Sequence, residues 1–117
     1  MDRIICKSKI HGIRVTQKNL KYEGSIEIDG YILEKADILP HEIVQVVNVN
    51  TGSRFDTYVI KGEPNSGICS LNGGAARLGE VGDPLLIISY GIMDTQACKT
   101  YQPKIVFVNE NNRVIKA

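Results

Sequence analysis

Residues 43–60, with the sequence IVQVVNVNTGSRFDTYVI, contain the clearest structural signal in the chain. The run from Ile43 to Val49 is rich in β-branched side chains, which favour an extended backbone. A turn signal, Asn-Thr-Gly, follows at residues 50–52, and residues 54–60 form a second run of the same kind. The sequence therefore predicts a β-hairpin in the middle of the chain.

Further short extended runs lie on both sides of this hairpin, and Gly, Asn, Asp and Pro separate them. Residues 25–29 (SIEID) alternate polar and apolar side chains, which is the period of a half-buried strand. Gly12 interrupts an extended stretch near the N-terminus and predicts a break there. The predicted strands outside the hairpin cover residues 4–10, 13–16, 25–29, 67–71, 84–90, 104–109 and, as an edge strand, 113–116.

The predicted helices are few and short. Residues 31–37 carry apolar side chains at helical spacing, and Pro40 is expected to end the segment. A second short helix is expected at residues 94–99, with Asp94 or Thr95 as its N-cap. Many short strands with few helices predict a single small β-barrel.

The length and charge of the chain limit the classes of function. A chain of 117 residues favours one domain over residues 1–117. The net charge is +1, with 14 basic and 13 acidic residues, whereas nucleic-acid-binding proteins usually carry a basic stripe. No apolar run approaches the ~20 residues of a membrane-spanning helix, and no signal peptide is evident. We therefore expect a cytoplasmic protein with no membrane or nucleic-acid partner.

Three cysteines, Cys6, Cys69 and Cys98, are widely spaced, and none forms a C-x-x-C motif. An odd number at wide spacing argues against a disulfide framework or a zinc site. We expect buried, inert thiols in a reducing compartment and no metal.

Arg54 and Tyr58 are the first candidates for a chemical role. If the second hairpin strand is regular, its period of two places Arg54, Asp56, Tyr58 and Ile60 on one face. A guanidinium is suited to bind a carboxylate, and a phenol is able to donate a proton. A solvated strand face is the alternative, and the pattern alone leaves both interpretations open.

Two small-residue segments and two histidines are further candidates. Small side chains at residues 72–76 (NGGAA) let a ligand approach the backbone amides, although an ordinary tight turn explains them equally well. The dipeptide Gly24-Ser25 is by itself a turn signal. His11 and His41 lie far apart in sequence, and lone histidines are more often structural. The chain contains no P-loop, G-x-S-x-G motif or Rossmann fingerprint.

Short segments spread along the chain form one ordered set: KSKIH (7–11), YEGSI (22–26), ILP (38–40), VVNVNTGSRF (46–55), TY (57–58), LNG (71–73), AAR (75–77) and PKIVFV (103–108). This set closely resembles the bacterial pyruvoyl-dependent aspartate 1-decarboxylase family, in order and without evident insertions. Each segment is weak alone, but the ordered set is highly specific. The sequence departs from the family pattern at Gly12, where a larger residue is usual, and at Gly74, where alanine is common.

The resemblance implies a small double-psi β-barrel, mainly β with a few short helices, which assembles as a homotetramer with active sites between subunits. It implies a proenzyme that cuts itself between Gly24 and Ser25 into residues 1–24 (the β chain) and 25–117 (the α chain). Ser25 would become a pyruvoyl group that forms a Schiff base with L-aspartate and replaces pyridoxal phosphate. The implied lyase activity converts L-aspartate to β-alanine and CO2 for pantothenate and coenzyme A biosynthesis, with no metal.

The resemblance also implies roles for individual residues. Arg54 would bind the retained side-chain carboxylate, with Lys9 beside it, and Tyr58 would return a proton to the carbanion. Asn72 would orient the cleavage loop or the pyruvoyl oxygen. The residues that would line the substrate site or position the cleavage loop are Thr57, Gly73, Gly74 and Ala75, with His11 and Tyr22 as wall residues.

Two other interpretations remain open at this stage. A small β-barrel is also a possible binding module, such as a DNA-binding one, which the near-zero net charge disfavours. A family member that does not process itself and serves only as a partner is the second alternative. An intact-mass measurement separates them, because only the enzyme yields two fragments that meet at Gly24 and Ser25.

Overall fold

Strands make up about half of the computed structural model, which describes residues 1–117. Two short α-helices and one 3-10 helix (Gly73–Leu78) connect them. The strands are β1 Asp2–Arg14, β2 Gln17–Asn19, β3 Ser25–Asp29, β4 Ile43–Asn48, β5 Arg54–Gly62, β6 Cys69–Asn72, β7 Pro84–Asp94, β8 Lys104–Val108 and β9 Val114–Lys116. The α-helices are α1 Gly30–Ala36 and α2 Thr95–Cys98.

The nine strands form one curved sheet in the order β2-β6-β3-β5-β4-β7-β1-β8-β9. The pairs β1/β8, β2/β6 and β3/β5 are parallel, and the remaining pairs are antiparallel. One face of this sheet encloses a single apolar core of 19 buried residues, among them Ile10, Ile26, Val46, Ile87 and Val106. The sequence prediction of a small, mainly β double-psi barrel with a few short helices is confirmed.

The central hairpin is confirmed as β4 and β5. The two strands pair without a register shift, from Ile43 opposite Tyr58 to Val47 opposite Arg54. Gly52 adopts a φ of +79° in the turn, and its N–H donates to the Asn48 carbonyl at 2.8 Å. A positive φ strains most L-residues, which explains glycine at this position.

The prediction of two separate N-terminal strands is wrong, because β1 is a single strand of 13 residues. Its pairing with β7 shifts register between Cys6 and Ser8 and between His11 and Ile13. Gly12 has a φ of +90° and lies in the second irregularity. A β-bulge inserts one residue without ending the pairing, so the glycine bends the strand but does not break it. The partner strand β7 is correspondingly longer than predicted.

Both predicted α-helices are present. Helix α1 begins one residue earlier than expected, and Asp29 accepts a hydrogen bond from the Tyr31 N–H at 2.8 Å. Asp37 ends it in a left-handed conformation (φ 56°), three residues before Pro40. Asp94, one of the two predicted caps, accepts from the Ala97 N–H at 2.8 Å at the start of α2.

Two local features escaped the sequence prediction. Strand β2 consists of three exposed polar residues, so it carries no apolar signal, and it pairs only with β6. The tight turn predicted at residues 72–77, with a possible single helical turn, is a 3-10 helix over residues 73–78. Strand β3 occurs as predicted, but it is buried on both faces instead of one, because Ser25 and Asp29 are as inaccessible as Ile26 and Ile28.

The cysteines differ in environment. Cys69 is fully buried, as predicted, and this burial raises the pKa of its thiol to about 12. Cys6 and Cys98 are only half-buried, which contradicts the prediction of buried thiols at those two positions.

None of the helices is long and apolar enough to cross a membrane.

A network around the buried Asn48 side chain joins the hairpin turn to the end of the 3-10 helix. The Asn48 amide donates to the Leu78 carbonyl at 3.1 Å and to the Asp83 carboxylate at 2.9 Å. Asp83 also accepts from the Asn50 amide and from the Glu80 N–H. These hydrogen bonds, that of Asn48 foremost, hold the pKa of Asp83 below its usual range.

The Asp83→Asn substitution is expected to lower the free energy of unfolding at pH 7 by about 0.5–1.5 kcal/mol, the net worth of one solvent-accessible hydrogen bond, because an amide offers one acceptor oxygen to three N–H donors. The folded-state pKa of Asp83 is depressed, so its stabilisation is present above the unfolded pKa of about 3.9 and is lost as the pH falls through the folded pKa. The stability difference between the two proteins should therefore shrink below about pH 3.9.

Urea unfolding at pH 7 and at pH 3 measures this difference. Glu110→Gln is the matched control, because Glu110 is an exposed carboxylate outside this network, and it should match wild type at both pH values. Equal stability of Asp83→Asn and wild type at pH 7 would show that the carboxylate charge does not hold the network.

Candidate active site

Ser25 is the first residue of β3 and is fully buried between β5 and β6. It lies opposite Asn72 of β6. The parallel register of β3 and β5, with Ile26 opposite Val59, places Ser25 level with Tyr58. Side chains at paired positions point to the same face of a sheet. Three adjacent strands therefore bring Asn72, Ser25 and Tyr58 into one row, on the face away from the core.

A chain of hydrogen bonds runs through the Ser25 hydroxyl. Ser70 donates to the Asn72 amide oxygen at 2.8 Å, and the Asn72 amide nitrogen donates to Ser25 Oγ at 3.0 Å. Ser25 Oγ in turn donates to the Glu23 carbonyl at 3.4 Å. The Ser25 oxygen is thus held beside the peptide bond that joins it to Gly24.

Ser70 was missed by the sequence analysis. A signal was available, because residues two apart on a strand share a face, and Ser70 precedes Asn72 by two positions.

The segment before Ser25 passes over Gly73 at the start of the 3-10 helix. Gly73 has a φ of +62°, and a Cβ there would lie 2.7 Å from the Gly24 N and Cα atoms and 2.8 Å from the Tyr22 carbonyl. Only glycine fits such a close approach at a positive φ. By contrast, a Cβ on Gly74 or on Gly24 would meet no atom within 4 Å, and neither has a positive φ.

The departure at Gly74 does not affect the packing of residues 22–24, because the contact is made by Gly73 alone. Gly24 has no positive φ, and a Cβ there would meet open space, so the packing of the chain does not itself require glycine at position 24.

The 3-10 helix also fixes the positions of the neighbouring candidates. Ala75 is buried and Gly74 is exposed. The side chain of Tyr22 is 52% exposed, although its carbonyl packs against Gly73. No surface concavity reaches Ser25, since the segment before it covers the site.

Thr57 occupies the other face of β5 from Arg54 and Tyr58. It lies opposite the fully buried Val44 and is itself half-buried. The ladder of β3 and β5 begins with Ile26 opposite Val59, so Thr57 lies on β5 two positions before the first pair.

The regular pairing of β4 and β5 keeps Arg54, Asp56 and Tyr58 on one face, as the period of two predicts. Tyr58 is half-buried, its ring lies 6.3 Å from that of His41, and its hydroxyl makes no hydrogen bond within the chain. The phenol of Tyr58 is therefore free to bond a ligand.

The neighbouring Asp56 is engaged with another phenol. It accepts from the Tyr90 hydroxyl at 3.5 Å, and burial and the Asp56 charge raise the pKa of Tyr90.

A second group of candidates lies on the same outer face of the sheet, away from Ser25. Arg54 is exposed and donates to the neutral Gln45 side chain at 3.0 Å. Lys9 is half-buried opposite Ile88, and neither Lys9 nor Arg54 makes an ion pair within the chain. His11 is exposed, with its ring 5.2 Å from that of Phe107. This face thus presents two cations without a carboxylate partner.

The two groups are well separated within one chain. Arg54 is four residues along β5 from Tyr58, which corresponds to about 13 Å. Lys9 is three strands away from β5, or about 14 Å across the sheet. The structure brings Ser25, Tyr58, Asn72 and Gly73 together, with Thr57 on the other face of β5. It places Arg54 farther along the same strand face and Lys9 and His11 on β1, three strands away.

The chain contains no cluster of three or more His, Cys, Asp or Glu side chains that could hold a metal ion. The group with a built chemical environment is the Ser25 hydroxyl, which is buried, doubly hydrogen-bonded and adjacent to a peptide carbonyl.

Comparison with known proteins gives the family. The model of the family described as aspartate decarboxylase matches residues 1–115. Similar proteins named aspartate 1-decarboxylase include those of Kosmotoga olearia (57% identity, 99% of each chain) and Thermoanaerobacter pseudethanolicus (56%, 98% of each). That of Listeria monocytogenes is 52% identical over 97% of this chain and 90% of its own. The chain therefore belongs to the aspartate decarboxylase family.

Proposed function

We propose that this protein is an aspartate 1-decarboxylase that converts L-aspartate to β-alanine and CO2, and so supplies β-alanine for pantothenate and coenzyme A synthesis. The observation that carries the proposal is the environment of Ser25. Its buried hydroxyl is held by Asn72 and by the Glu23 carbonyl, directly after a glycine that packs over Gly73. A purely structural serine would not need a covering segment that only glycine accommodates.

The chain is proposed to be a one-domain proenzyme that cuts itself between Gly24 and Ser25. Ser25 Oγ bonds to the Gly24 carbonyl carbon, the bond from that carbon to the Ser25 nitrogen breaks, and the hydroxyl proton passes to the nitrogen. The product is an ester. Loss of the Ser25 Cα proton and of the Gly24 carboxylate then gives dehydroalanine. Water replaces its nitrogen as ammonia and leaves a pyruvoyl group at the start of residues 25–117.

The surroundings of Ser25 fit this chemistry. The Asn72 amide donates to Oγ, and the Glu23 carbonyl accepts the hydroxyl proton, so the oxygen is oriented before it reacts. Gly73 lets the backbone of residues 22–24 come close, and Thr57 lies on β5, the strand that pairs with β3. These contacts support assigning Asn72, Gly73 and Thr57 to the positioning of the cleavage segment.

The pyruvoyl group, once formed, supplies an electron-poor carbonyl that accepts the electron pair left when CO2 departs. Tyr58 is the proposed proton donor to the carbon that lost CO2. It lies level with residue 25 on the adjacent strand, and its hydroxyl has no partner in the chain. Asn72 would orient the group made from Ser25, and Gly74 and Ala75 at the start of the 3-10 helix would line the substrate site with Tyr22.

Arg54 is proposed to bind the side-chain carboxylate of aspartate through its guanidinium fork, with Lys9 as a second cation and His11 as a wall. Both cations lack a carboxylate partner, which leaves their charge available to a ligand. Within one chain, the Cα atoms of Arg54 and Tyr58 are about 13 Å apart along β5, whereas Lys9 lies three strands away from β5 across the sheet.

This separation supports the proposal of a homotetramer with active sites between subunits. In such an assembly, the outer sheet face of one subunit would bring Arg54 to the Ser25 of its neighbour. The same face carries exposed apolar side chains, which mark interaction surfaces in soluble proteins. They include Ile4, Ile43, Tyr90, Ile92 and Ile105.

Replacement of Ser25 by alanine tests the proposed function directly. Ser25→Ala removes the nucleophile, so we expect a folded chain with the mass of residues 1–117 and no β-alanine formation. Ser66→Ala, at an exposed serine in the loop that contacts the opposite end of β3 at Asp29, should cleave and decarboxylate as wild type does. Decarboxylation by an intact Ser25→Ala chain would overturn the pyruvoyl assignment.

Two neighbouring glycines test the packing of the cleavage segment. Gly73→Ala places a Cβ against Gly24 and should slow self-cleavage by roughly 10²-fold, the effect of a displacement of about 1 Å. Gly74→Ala is the matched control and should cleave at the wild-type rate, because its Cβ meets open space. Intact mass over time measures both rates, and equal rates for the two variants would contradict the packing argument.

Tyr58→Phe separates the making of the cofactor from its use. The variant should still cleave between Gly24 and Ser25, because Tyr58 does not contact the scissile bond in the proposed scheme. Its decarboxylation rate should fall by about 10²–10⁴-fold, the usual worth of a positioned proton donor. A mass spectrum and a β-alanine assay on one preparation measure the two steps.

Tyr31→Phe on α1 removes a phenol outside the site and is the control for the loss of a hydroxyl. A cleaved Tyr58→Phe variant with normal turnover would assign the proton to another donor. An uncleaved variant would place Tyr58 in the cleavage machinery.

A further inference from the structure

Ser70 has no part in the scheme above, yet it is fully buried on β6 and its hydroxyl makes a single hydrogen bond, to Asn72. We infer that Ser70 is a positioning residue for self-cleavage: it holds the Asn72 amide so that its N–H group donates to Ser25 Oγ, the oxygen that leaves with Gly24. The inference rests on the proposed function and adds a residue and a specific step to it.

The orientation of the Asn72 amide follows from a count of donors and acceptors. In the observed orientation, Ser70 donates to Asn72, Asn72 donates to Ser25, and Ser25 donates to the Glu23 carbonyl. A flipped amide would accept from Ser25 and donate to Ser70. The buried Ser70 proton would then have no acceptor, and the Glu23 carbonyl would lose its donor. Such unpaired buried groups are unfavourable, so Ser70 selects the observed orientation.

The selected orientation matters most in the second half of the cleavage. In the ester, the Ser25 Cα proton passes to water, the Cα=Cβ bond forms, and the Cβ–Oγ bond breaks with its electron pair on Oγ. Negative charge therefore develops on the atom to which the Asn72 N–H already donates at 3.0 Å. A donor placed in advance at a developing charge stabilises the transition state. Ser70 strengthens this donor, because hydrogen bonds in a chain polarise one another.

Removal of the Ser70 hydroxyl takes away the unpaired proton that disfavours the flipped form and the bond that polarises the amide, so the preference for the observed orientation is weakened. In the flipped form, the amide oxygen faces the developing negative charge on Oγ and opposes it. Formation of the ester does not require Oγ to leave with negative charge, so loss of the Ser70 hydroxyl slows this step less than the elimination. The inference therefore predicts that a Ser70 variant accumulates the ester.

The test follows freshly made protein by intact mass over time, with and without neutral hydroxylamine, which cleaves esters but not ordinary peptide bonds. In Ser70→Ala, release of residues 1–24 should slow by roughly tenfold. The effect should be smaller than the about 10²–10³-fold typical for complete loss of a donor, because Asn72 is still present. Hydroxylamine should split the accumulated chain into a Gly24 hydroxamate and a fragment that begins with Ser25.

Ser89→Ala is the matched control. Ser89 is equally buried and is bonded only to the Ser8 hydroxyl, outside the site, so its loss should leave the rate of cleavage unchanged. If Ser70→Ala does not fold, Ser70→Cys replaces it, because a thiol has a similar size and is only a weak donor. The same accumulation of ester is expected.

A double-mutant cycle tests whether Ser70 acts through Asn72. The Ser70→Ala/Asn72→Ala variant should cleave as slowly as Asn72→Ala alone, because the two residues act as one unit. Multiplicative slowing, a wild-type rate in Ser70→Ala, or accumulation of a hydroxylamine-resistant chain would each overturn the inference. A wild-type protein that never releases residues 1–24 would instead overturn the proposed function itself.

Discussion

The pairing of β3 with β5 on one side and β6 on the other is the constraint on which the site depends. Ile26 lies between Val59 and Leu71, and all three side chains are completely buried in the core. A slip of one residue would turn each of them to the opposite face, so apolar burial fixes the register. The next row is thereby fixed as well, and it is the row that brings Ser25 beside Asn72 and Tyr58.

Local signals were sufficient for most of the fold. The β4/β5 hairpin, the two α-helices and the edge strand β9 follow from β-branched runs, turn residues and caps that lie within a few positions of one another. The errors arise where tertiary pairing overrides local pattern. Gly12 signals a break in the sequence, but pairing with β7 carries β1 through it as a bulge. Strand β2 has no apolar side chain and exists only because β6 offers it a partner.

The candidate site was less accessible to local reasoning. The common face of Arg54 and Tyr58 follows from the period of a strand, whereas the contact of Ser25 with Asn72 joins positions 47 residues apart. The two glycines at 73 and 74 are equivalent as sequence, and only the fold shows that one of them touches the cleavage segment. The separation of Lys9 from β5, three strands across the sheet, likewise appears only in the fold.

The burial of Ser25 also sets an order of events in the proposed mechanism. In the unbroken chain, the segment that ends at Gly24 covers Ser25, so the amino group of a substrate has no path to residue 25. Cleavage makes the reactive carbonyl and at the same time frees the end of the segment that covers it. In this mechanism, the reactions that create the cofactor also open the site, and the uncleaved chain lacks both the carbonyl and an open path to it. The close backbone contact at Gly73 suits such a segment, since a deeply packed segment would remain in place after its covalent bond was broken.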